Sequence, residues 1–295
     1  ARDTARDVGT WIEGAGEGSR ADLAGVAGAA GARLGEALRS LEETAKVLDA
    51  GGAGRETAWE RFEALRYTGY DLQRRLVLAL GPAARQWRLC VLITEALCRH
   101  PWELVAERAI GAGADCLQLR EKSLESGELL RRARRLVAIA GQTPAPDGQR
   151  ASIIINDRAD IALLAGADGV HVGQSDIGVA DVRRLSARPA RRLLVGVSCS
   201  TLERAVRAVR DGADYLGLGP MFPSTTKAKP TLAGPGLISA VVGDPVASRV
   251  PHLAISGITR ERVGELAAVG CRGIAVSAAV CGAEDVEGAV RGLLE

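Results

Sequence analysis

The sequence of 295 residues has few of the features that mark metal clusters, membrane segments or nucleic-acid binding. It holds three histidines and six cysteines, and no two cysteines have CxxC spacing. This spacing favours buried free thiols in a reducing compartment over zinc ligands or disulfides. The net charge of +2 gives no electrostatic reason to expect a nucleic-acid or membrane partner, and no apolar run is long enough to span a bilayer. We therefore expect a globular protein of the cytoplasm.

What the sequence does have is a Gly-Ala-Asp triplet that occurs three times, each time directly before a short apolar run. The triplets begin at Gly113, Gly166 and Gly212, and a looser copy begins at Gly270. Each is typical of the turn that ends a helix and leads into a strand. Repeated helix–turn–strand units indicate a parallel β/α fold, in which ligands bind beyond the carboxyl ends of the strands.

Eight apolar runs of strand length follow one another from residue 89 onward, with helical patterns between them. Eight β/α units in roughly 200 residues predict a (β/α)8 TIM barrel, an α/β fold. The predicted strands are Leu89–Ile93, Cys116–Leu119, Ser152–Ile155, Gly169–Val172, Leu193–Val197, Tyr215–Leu218, His252–Ile255 and Ile274–Val276.

Residues 1–85 differ from the rest and predict an α-helical N-terminal region. Leucines and alanines recur at helical spacing from Leu34 to Leu48 and again from Phe62 to Leu80. The glycine-rich stretch Ala50–Gly54 breaks the pattern, and Gly81-Pro82 ends it. We interpret residues 1–85 as a helical hairpin for packing or oligomerisation, which makes a homo-oligomer an open alternative, and residues 86–295 as the barrel.

Polar side chains gather where the second, third and fourth predicted strands end. Alternation places Gln118, Arg120 and Lys122 on one side, where they suit a phosphorylated ligand, although a surface salt-bridge patch fits equally well. Asp157 and Asp176 follow neighbouring strands and could share one Mg²⁺ with a substrate phosphate, although either could instead cap a helix. His171 lies in an apolar strand and is interpreted as a hydrogen-bonded core histidine.

The ends of the later strands carry hydroxyls, glycines and one lysine. Ser198 lacks a His–Asp pattern, so we interpret it as a ligand-binding hydroxyl. The loop from Gly217 to Lys227 is shaped by glycine and proline and is the most specific segment of the chain. Lys227 lies too far beyond the strand for a Schiff base. The turns at Gly257 and Ser277 suit backbone binding of phosphate, with ordinary turn chemistry as the alternative.

The strand ends carry six ordered motifs: QLREK at 118–122, IND at 155–157, GVHVGQSD at 169–176, GVS at 196–198, GLGPMFPSTTK at 217–227 and SGI at 256–258. Together these motifs resemble the thiamine phosphate synthase family from about residue 89 to the C-terminus. The resemblance implies that a pyrimidine methyl diphosphate and a thiazole phosphate condense to thiamine phosphate with loss of pyrophosphate. It also implies a Mg²⁺-dependent, dissociative mechanism through a pyrimidine carbocation.

The resemblance also assigns roles to residues by position. Asp157 and Asp176 would ligate Mg²⁺, and Ser198 would bind at the reacting pyrimidine. The pyrimidine and its diphosphate would be held by Gln118, Arg120, Lys122, Asn156 and Lys227. The thiazole phosphate would be held by Ser224, Thr225, Thr226, Gly257, Ser277 and Ala278.

Two departures from the family pattern are visible, and two other functions stay open. Ser256 replaces the first of two glycines, which predicts a tighter phosphate pocket, and Ser224 stands where threonine is common. A related thiazole tautomerase would not need the whole diphosphate apparatus. A barrel that only binds thiamine precursors would not need both aspartates. The presence of Asp157 and Asp176 favours the synthase.

Overall fold

The computed structural model describes residues 23–48, 57–80, 86–186, 192–224 and 231–295. The described residues form two compact units, a pair of helices before residue 81 and a barrel after residue 85. Among the described helices, none combines the length and the apolar character needed to cross a membrane.

The first unit is a pair of helices, α1 (Leu23–Leu48) and α2 (Ala58–Leu80). The Gln73 amide nitrogen donates to the Gly28 carbonyl at 2.9 Å, and the Arg66 guanidinium donates to Glu42 at 2.9 Å. Early residues of α1 therefore meet late residues of α2, so the helices are antiparallel. The predicted break at Ala50–Gly54 and the predicted end at Gly81-Pro82 lie outside the described residues.

The leucines of α1 form only part of its contact with α2. Leu34 and Leu41 are about half exposed, at 49% and 48%. Two glycines of α1 lie opposite bulky side chains of α2. A Cβ added to Gly35 would lie 2.7 Å from the Tyr70 ring, and a Cβ added to Gly31 would lie 2.3 Å from the Gln73 side chain, so neither position has room for a side chain. The prediction of a helix is confirmed, and the sequence pattern did not show that Gly31 and Gly35 lie against α2.

The second unit is a closed barrel of eight parallel strands in chain order. The predicted (β/α)8 barrel is therefore confirmed, with two strands placed slightly differently from the prediction. The third strand extends to Asn156, and the fifth runs from Leu194 to Cys199, so Ser198 lies within a strand and not after it. The strands are β1 Leu89–Ile93, β2 Cys116–Leu119, β3 Ser152–Asn156, β4 Gly169–Val172, β5 Leu194–Cys199, β6 Tyr215–Leu218, β7 His252–Ile255 and β8 Ile274–Val276.

Helices connect the strands on the outside of the barrel. One short helix, α10, was not predicted. The helices of this unit are α3 Trp102–Gly111, α4 Ser126–Gln142, α5 Ala159–Ala165, α6 Val179–Leu185, α7 Leu202–Arg210, α8 Gly236–Gly243, α9 Arg260–Ala268, α10 Ala278–Cys281 and α11 Val286–Leu294.

Strand alternation divides the barrel core into two layers. In β1, Leu89, Val91 and Ile93 belong to the large apolar layer between strands and helices, whereas Cys90 and Leu92 belong to the smaller layer inside the barrel. All six cysteines are free thiols, and four of them are buried as predicted, whereas Cys98 and Cys271 are half-buried.

The aspartates of the three Gly-Ala-Asp triplets lie at the amino ends of the strands. Each carboxylate accepts a hydrogen bond from the first backbone N–H groups of the preceding strand: Asp115 from Leu89 at 3.1 Å, Asp168 from Ile153 at 2.7 Å, and Asp214 from Val195 at 2.7 Å. Each triplet therefore joins an even-numbered strand to the odd-numbered strand before it. The fourth copy has no carboxylate and forms no such link.

Candidate active site

The carboxyl end of β2 directs two predicted site residues toward the barrel mouth. Gln118 is buried, and its register partners Leu92 and Ile154 belong to the layer inside the barrel. The next even position holds Arg120, which is half-buried. Glu121 turns the other way, where its carboxylate accepts a hydrogen bond from the Glu95 backbone at 2.7 Å. The alternation predicted from the sequence therefore separates Gln118 and Arg120 from Glu121.

Lys122 and Asp157 form an ion pair between the loops that follow β2 and β3. The Lys122 ammonium lies 3.1 Å from Asp157 Oδ2. Asp157 has a left-handed backbone, with φ of 63°, and its N–H donates to the His171 carbonyl of β4 at 2.8 Å. This conformation is uncommon for a residue with a side chain, although aspartate tolerates it better than most. Asn156, the last residue of β3, is half-buried beside it.

Asp176 lies in the loop after β4 and is exposed. Its Oδ2 accepts a hydrogen bond from the Gly173 N–H at 2.7 Å, which closes a short turn. In the described part of the chain, no group of three or more His, Cys, Asp or Glu side chains forms a metal site. Two carboxylates, Asp157 and Asp176, after the paired strands β3 and β4 nevertheless match the donors that Mg²⁺ takes from a protein when waters and substrate phosphates complete its shell.

Ser198 faces the barrel mouth from β5 and is exposed. Its Oγ lies 2.9 Å from His171 Nε2, and His171 Nδ1 lies 3.0 Å from the Tyr215 hydroxyl. Burial lowers the pKa of His171 to about 4, so the ring is neutral at pH 7. Both of its nitrogens are hydrogen-bonded, as predicted. Because the second partner is a phenol and not a carboxylate, the arrangement is not a hydrolase triad.

The other candidate nucleophile on β5 is unreactive. Burial raises the pKa of the Cys199 thiol to about 12, so it stays protonated near neutral pH. Two contacts near Ser198 were missed by sequence reasoning: the Tyr215 hydroxyl described above, and the Gln174 amide, which donates to the Ser198 carbonyl at 2.7 Å. Tyr215 looked like an ordinary strand residue, and only its place opposite His171 distinguishes it.

The loop after β6 is anchored to the end of β7. The Met221 N–H donates to the Ile255 carbonyl at 3.0 Å, and the Phe222 N–H donates to the Ser256 carbonyl at 3.1 Å. Ser224 is half-buried at the end of the described part of this loop. Thr225, Thr226 and Lys227 lie outside the described residues.

The departure at Ser256 has a structural explanation. Ser256 and Gly257 both have left-handed backbones, with φ of 91° and 64°. The Ser256 hydroxyl donates to the Phe222 carbonyl at 3.0 Å, and a Cβ on Gly257 would lie 2.2 Å from the Pro223 carbonyl. Ser256 therefore fastens the loop after β6, while glycine is required at position 257.

Backbone donors are available at the ends of β7 and β8. Among the described residues, the N–H groups of Gly257, Ser277 and Ala278 have no hydrogen-bond acceptor. The Ser277 hydroxyl is occupied, because it donates to the Leu92 carbonyl at 2.8 Å. Backbone N–H groups at this end are therefore available as donors to an anion.

Comparisons with known proteins agree with this arrangement. A model of the thiamine monophosphate synthase family matches residues 89–280, and a model of the ThiD2 family matches residues 1–75. A thiamine-phosphate synthase of Chlorobium luteolum is 44% identical over 207 residues, which cover 70% of this chain and 91% of that protein. One of Rhodopirellula baltica is 35% identical over 302 residues, which cover 100% of this chain and 76% of that protein.

Solved structures show the same relationship. A thiamine phosphate pyrophosphorylase from Pyrococcus furiosus has a TM-score of 0.60 and 30% identity, covering 70% of this chain and 93% of that one. A 3-hexulose-6-phosphate synthase, with a TM-score of 0.51 and 21% identity, shares the fold alone. The family match, the full-length relatives and the residues at the barrel mouth lead to one conclusion: the chain belongs to the thiamine monophosphate synthase family of enzymes.

Proposed function

We propose that the barrel condenses 4-amino-2-methyl-5-(diphosphooxymethyl)pyrimidine with a thiazole phosphate to give thiamine phosphate and pyrophosphate. The observation that carries this proposal is the Lys122–Asp157 ion pair at the barrel mouth of a member of this family. It sets a cation and a carboxylate at one end of the barrel, as a metal-assisted diphosphate site requires.

The first half of the reaction needs stabilisation of a leaving anion. The carbon–oxygen bond of the pyrimidine methylene breaks, and both electrons leave on the diphosphate oxygen. Arg120 and Lys122 neutralise the developing charge, with Lys227 as a further cation, while Gln118 and Asn156 orient the pyrimidine. The remaining pyrimidine carbocation is stabilised by its own ring, so no protein nucleophile is needed. This agrees with the protonated Cys199 thiol and the absence of a triad at Ser198.

Asp157 and Asp176 would hold the Mg²⁺ ion. When bound, the ion supplies positive charge to the diphosphate oxygens. Apart from the ion, Asp157 holds the Lys122 ammonium in place at 3.1 Å, and the left-handed backbone at Asp157 fixes where the carboxylate points.

The second half of the reaction needs a positioned thiazole. Its ring nitrogen attacks the methylene carbon with its lone pair, and a carbon–nitrogen bond forms without a proton transfer. The backbone donors of Gly257, Ser277 and Ala278 hold the thiazole phosphate, and Ser224, Thr225 and Thr226 line the same side. Ser198 hydrogen-bonds at the reacting pyrimidine.

The test combines purified full-length protein, both substrates and Mg²⁺, with thiamine phosphate detected as fluorescent thiochrome after oxidation. We expect product that disappears when EDTA is added and returns with excess Mg²⁺. Absence of product from folded protein with verified substrates would contradict the synthase proposal and favour a tautomerase or a precursor-binding barrel. Product that persists in EDTA would contradict the metal assignment alone.

For the N-terminal part we propose that residues 1–85 form a packing or oligomerisation domain fused to the barrel of residues 86–295, in a cytoplasmic enzyme. Much of the apolar surface of α1 and α2 is exposed, including Leu65, Leu72 and Leu76. Deletion of residues 1–85 is therefore expected to preserve kcat and to alter solubility or the oligomeric state, which light scattering gives as the measured mass divided by the mass of one chain. Lost activity in a folded, soluble truncation would show that this region takes part in catalysis.

A further inference from the structure

A chain of three hydrogen-bonded side chains runs from the buried interior of the barrel to its mouth. The Tyr215 hydroxyl lies 3.0 Å from His171 Nδ1, and His171 Nε2 lies 2.9 Å from Ser198 Oγ. Tyr215 is 1% exposed, whereas Ser198 is exposed at the mouth. The chain therefore links a group sealed from solvent to a hydroxyl that the proposed function places against the substrate.

Two glycines leave space for the rings of Tyr215 and His171. A Cβ on Gly196 would lie 2.0 Å from the Tyr215 ring, and a Cβ on Gly217 would lie 2.8 Å from His171 Cε1. Real Cβ atoms do not approach so closely, so residues with side chains at these positions would displace one ring or the other. The Trp87 ring packs edge-on against Tyr215, with ring centroids 4.9 Å apart. The Tyr215 ring is therefore packed by Trp87 as well as hydrogen-bonded to His171.

Burial fixes the direction of the Tyr215 hydrogen bond. In the described part of the chain, His171 is the one side chain that hydrogen-bonds the phenol. If Nδ1 carried a proton, the phenol oxygen would accept a hydrogen bond from it, and the phenol O–H would be left buried without an acceptor. Buried donors without acceptors are rare because the cost of desolvating them is not recovered. The phenol therefore donates to Nδ1, and the neutral ring carries its proton on Nε2.

We propose that Tyr215 and His171 are positioning residues that orient the hydroxyl of Ser198. With its proton on Nε2, His171 donates to Ser198 Oγ, and the Ser198 O–H is free to donate into the barrel mouth. Ser198 then recognises an acceptor atom of the pyrimidine diphosphate, a ring nitrogen or the bridging oxygen. With the other tautomer, Ser198 would offer only a lone pair and would select the exocyclic amino group. This inference rests on the proposed function of Ser198.

The tautomer can be measured in the wild-type protein without catalysis. Protein labelled with ¹⁵N-histidine gives long-range ¹H–¹⁵N spectra that distinguish a protonated ring nitrogen from an unprotonated one. The three histidines can be assigned with His100→Gln and His171→Asn variants. We expect a single His171 tautomer, protonated on Nε2. A ring protonated on Nδ1, or an equal mixture of tautomers, would overturn the proposal whether or not the enzyme is active.

A double-mutant cycle tests whether Tyr215 acts through Ser198. Tyr215→Phe removes only the buried hydroxyl, and we expect kcat to fall about 3- to 10-fold with little change in KM, the size of one neutral hydrogen bond. In the Ser198→Ala background the same substitution is expected to change kcat less than about twofold, because Ser198 is then absent. Equal losses in both backgrounds would show a merely structural role and would overturn the proposal.

Ser152→Ala is the matched control. It removes another hydrogen bond of the barrel interior, the one that Trp87 Nε1 donates to Ser152 Oγ at 3.1 Å. We expect it to leave kcat and the His171 tautomer unchanged. A loss of kcat equal to that of Tyr215→Phe would mean that general loosening of the interior, and not the orientation of Ser198, causes the effect. Failure of the proposed function would appear differently, as wild-type protein that makes no thiamine phosphate.

Discussion

The two ends of the barrel use aspartate in opposite ways. At the amino end, Asp115, Asp168 and Asp214 accept hydrogen bonds from backbone N–H groups of the neighbouring strand. At the carboxyl end, Asp157 contacts a lysine side chain and Asp176 closes a turn in an exposed loop. The same residue type therefore bonds the backbone of a neighbouring strand where it precedes a strand, and belongs to the proposed ligand site where it follows one.

The difference follows from what the backbone offers at each end. The first N–H groups of a parallel strand are left without partners at the amino end, and a carboxylate satisfies them with charge-assisted hydrogen bonds. At the carboxyl end, neighbouring loops converge on one mouth, so side chains from several strands can meet one small ligand. The most repeated motif of this sequence thus forms hydrogen bonds within the fold, whereas the residues of the proposed active site belong to motifs that occur once.

The largest effect is expected at the carboxyl end. Asp157→Asn keeps the shape of the residue and its tolerance of a left-handed backbone, but removes the charge that faces Lys122 and that is proposed to hold Mg²⁺. We expect kcat/KM to fall by about 10² to 10³-fold with the thermal midpoint nearly unchanged. Thiochrome assays and thermal unfolding measure the two quantities. Asp160→Asn is the control, because Asp160 pairs with Arg158 on the start of α5. Near-normal turnover of Asp157→Asn would remove the main difference between the two ends.

An intermediate effect, on stability, is expected at the amino end. Asp214 is nearly buried and pairs with Arg183 as well as with the Val195 N–H. Asp214→Asn is expected to lower the free energy of unfolding by about 2 kcal/mol and the thermal midpoint by about 5 °C, with kcat preserved. The exposed Asp211→Asn serves as the control and should change stability by less than about 0.5 kcal/mol. A catalytic loss in folded Asp214→Asn protein would show that the two ends are not separate in function.

The smallest effect is expected at Ser256, where strain and a hydrogen bond oppose each other. Ser256→Ala keeps the left-handed backbone and loses the bond to the Phe222 carbonyl, so we expect it to be about 1 kcal/mol less stable than wild type. Ser256→Gly loses the same bond but relieves the strain, and its unfolding free energy should stay close to that of wild type. Denaturant unfolding compares the two variants. If the glycine variant were the less stable of the two, φ of 91° would not be a source of strain.

Sequence patterns predicted the barrel well because each β/α unit carries its own signals. An apolar run, a helical period and a glycine turn are local features, and all eight strands were located from them. The part that glycines take in the contact between α1 and α2 was not predicted, for the opposite reason. Glycine carries no apolar signal, so nothing in the α1 sequence shows that Gly31 and Gly35 must face the bulky Gln73 and Tyr70 of α2.

The sequence by itself determined the fold class, the end of the barrel that carries the site, and the residues that resemble those of the family. These follow from periodicity and from residue type at strand ends, which need no knowledge of what lies across the barrel. Tertiary structure alone decided that Asp214 links two strands, that Ser256 fastens a loop, and that Tyr215 contacts His171. Each depends on atoms of residues 19 to 44 positions apart in the chain meeting within about 3 Å, a distance that the tertiary fold of the barrel sets.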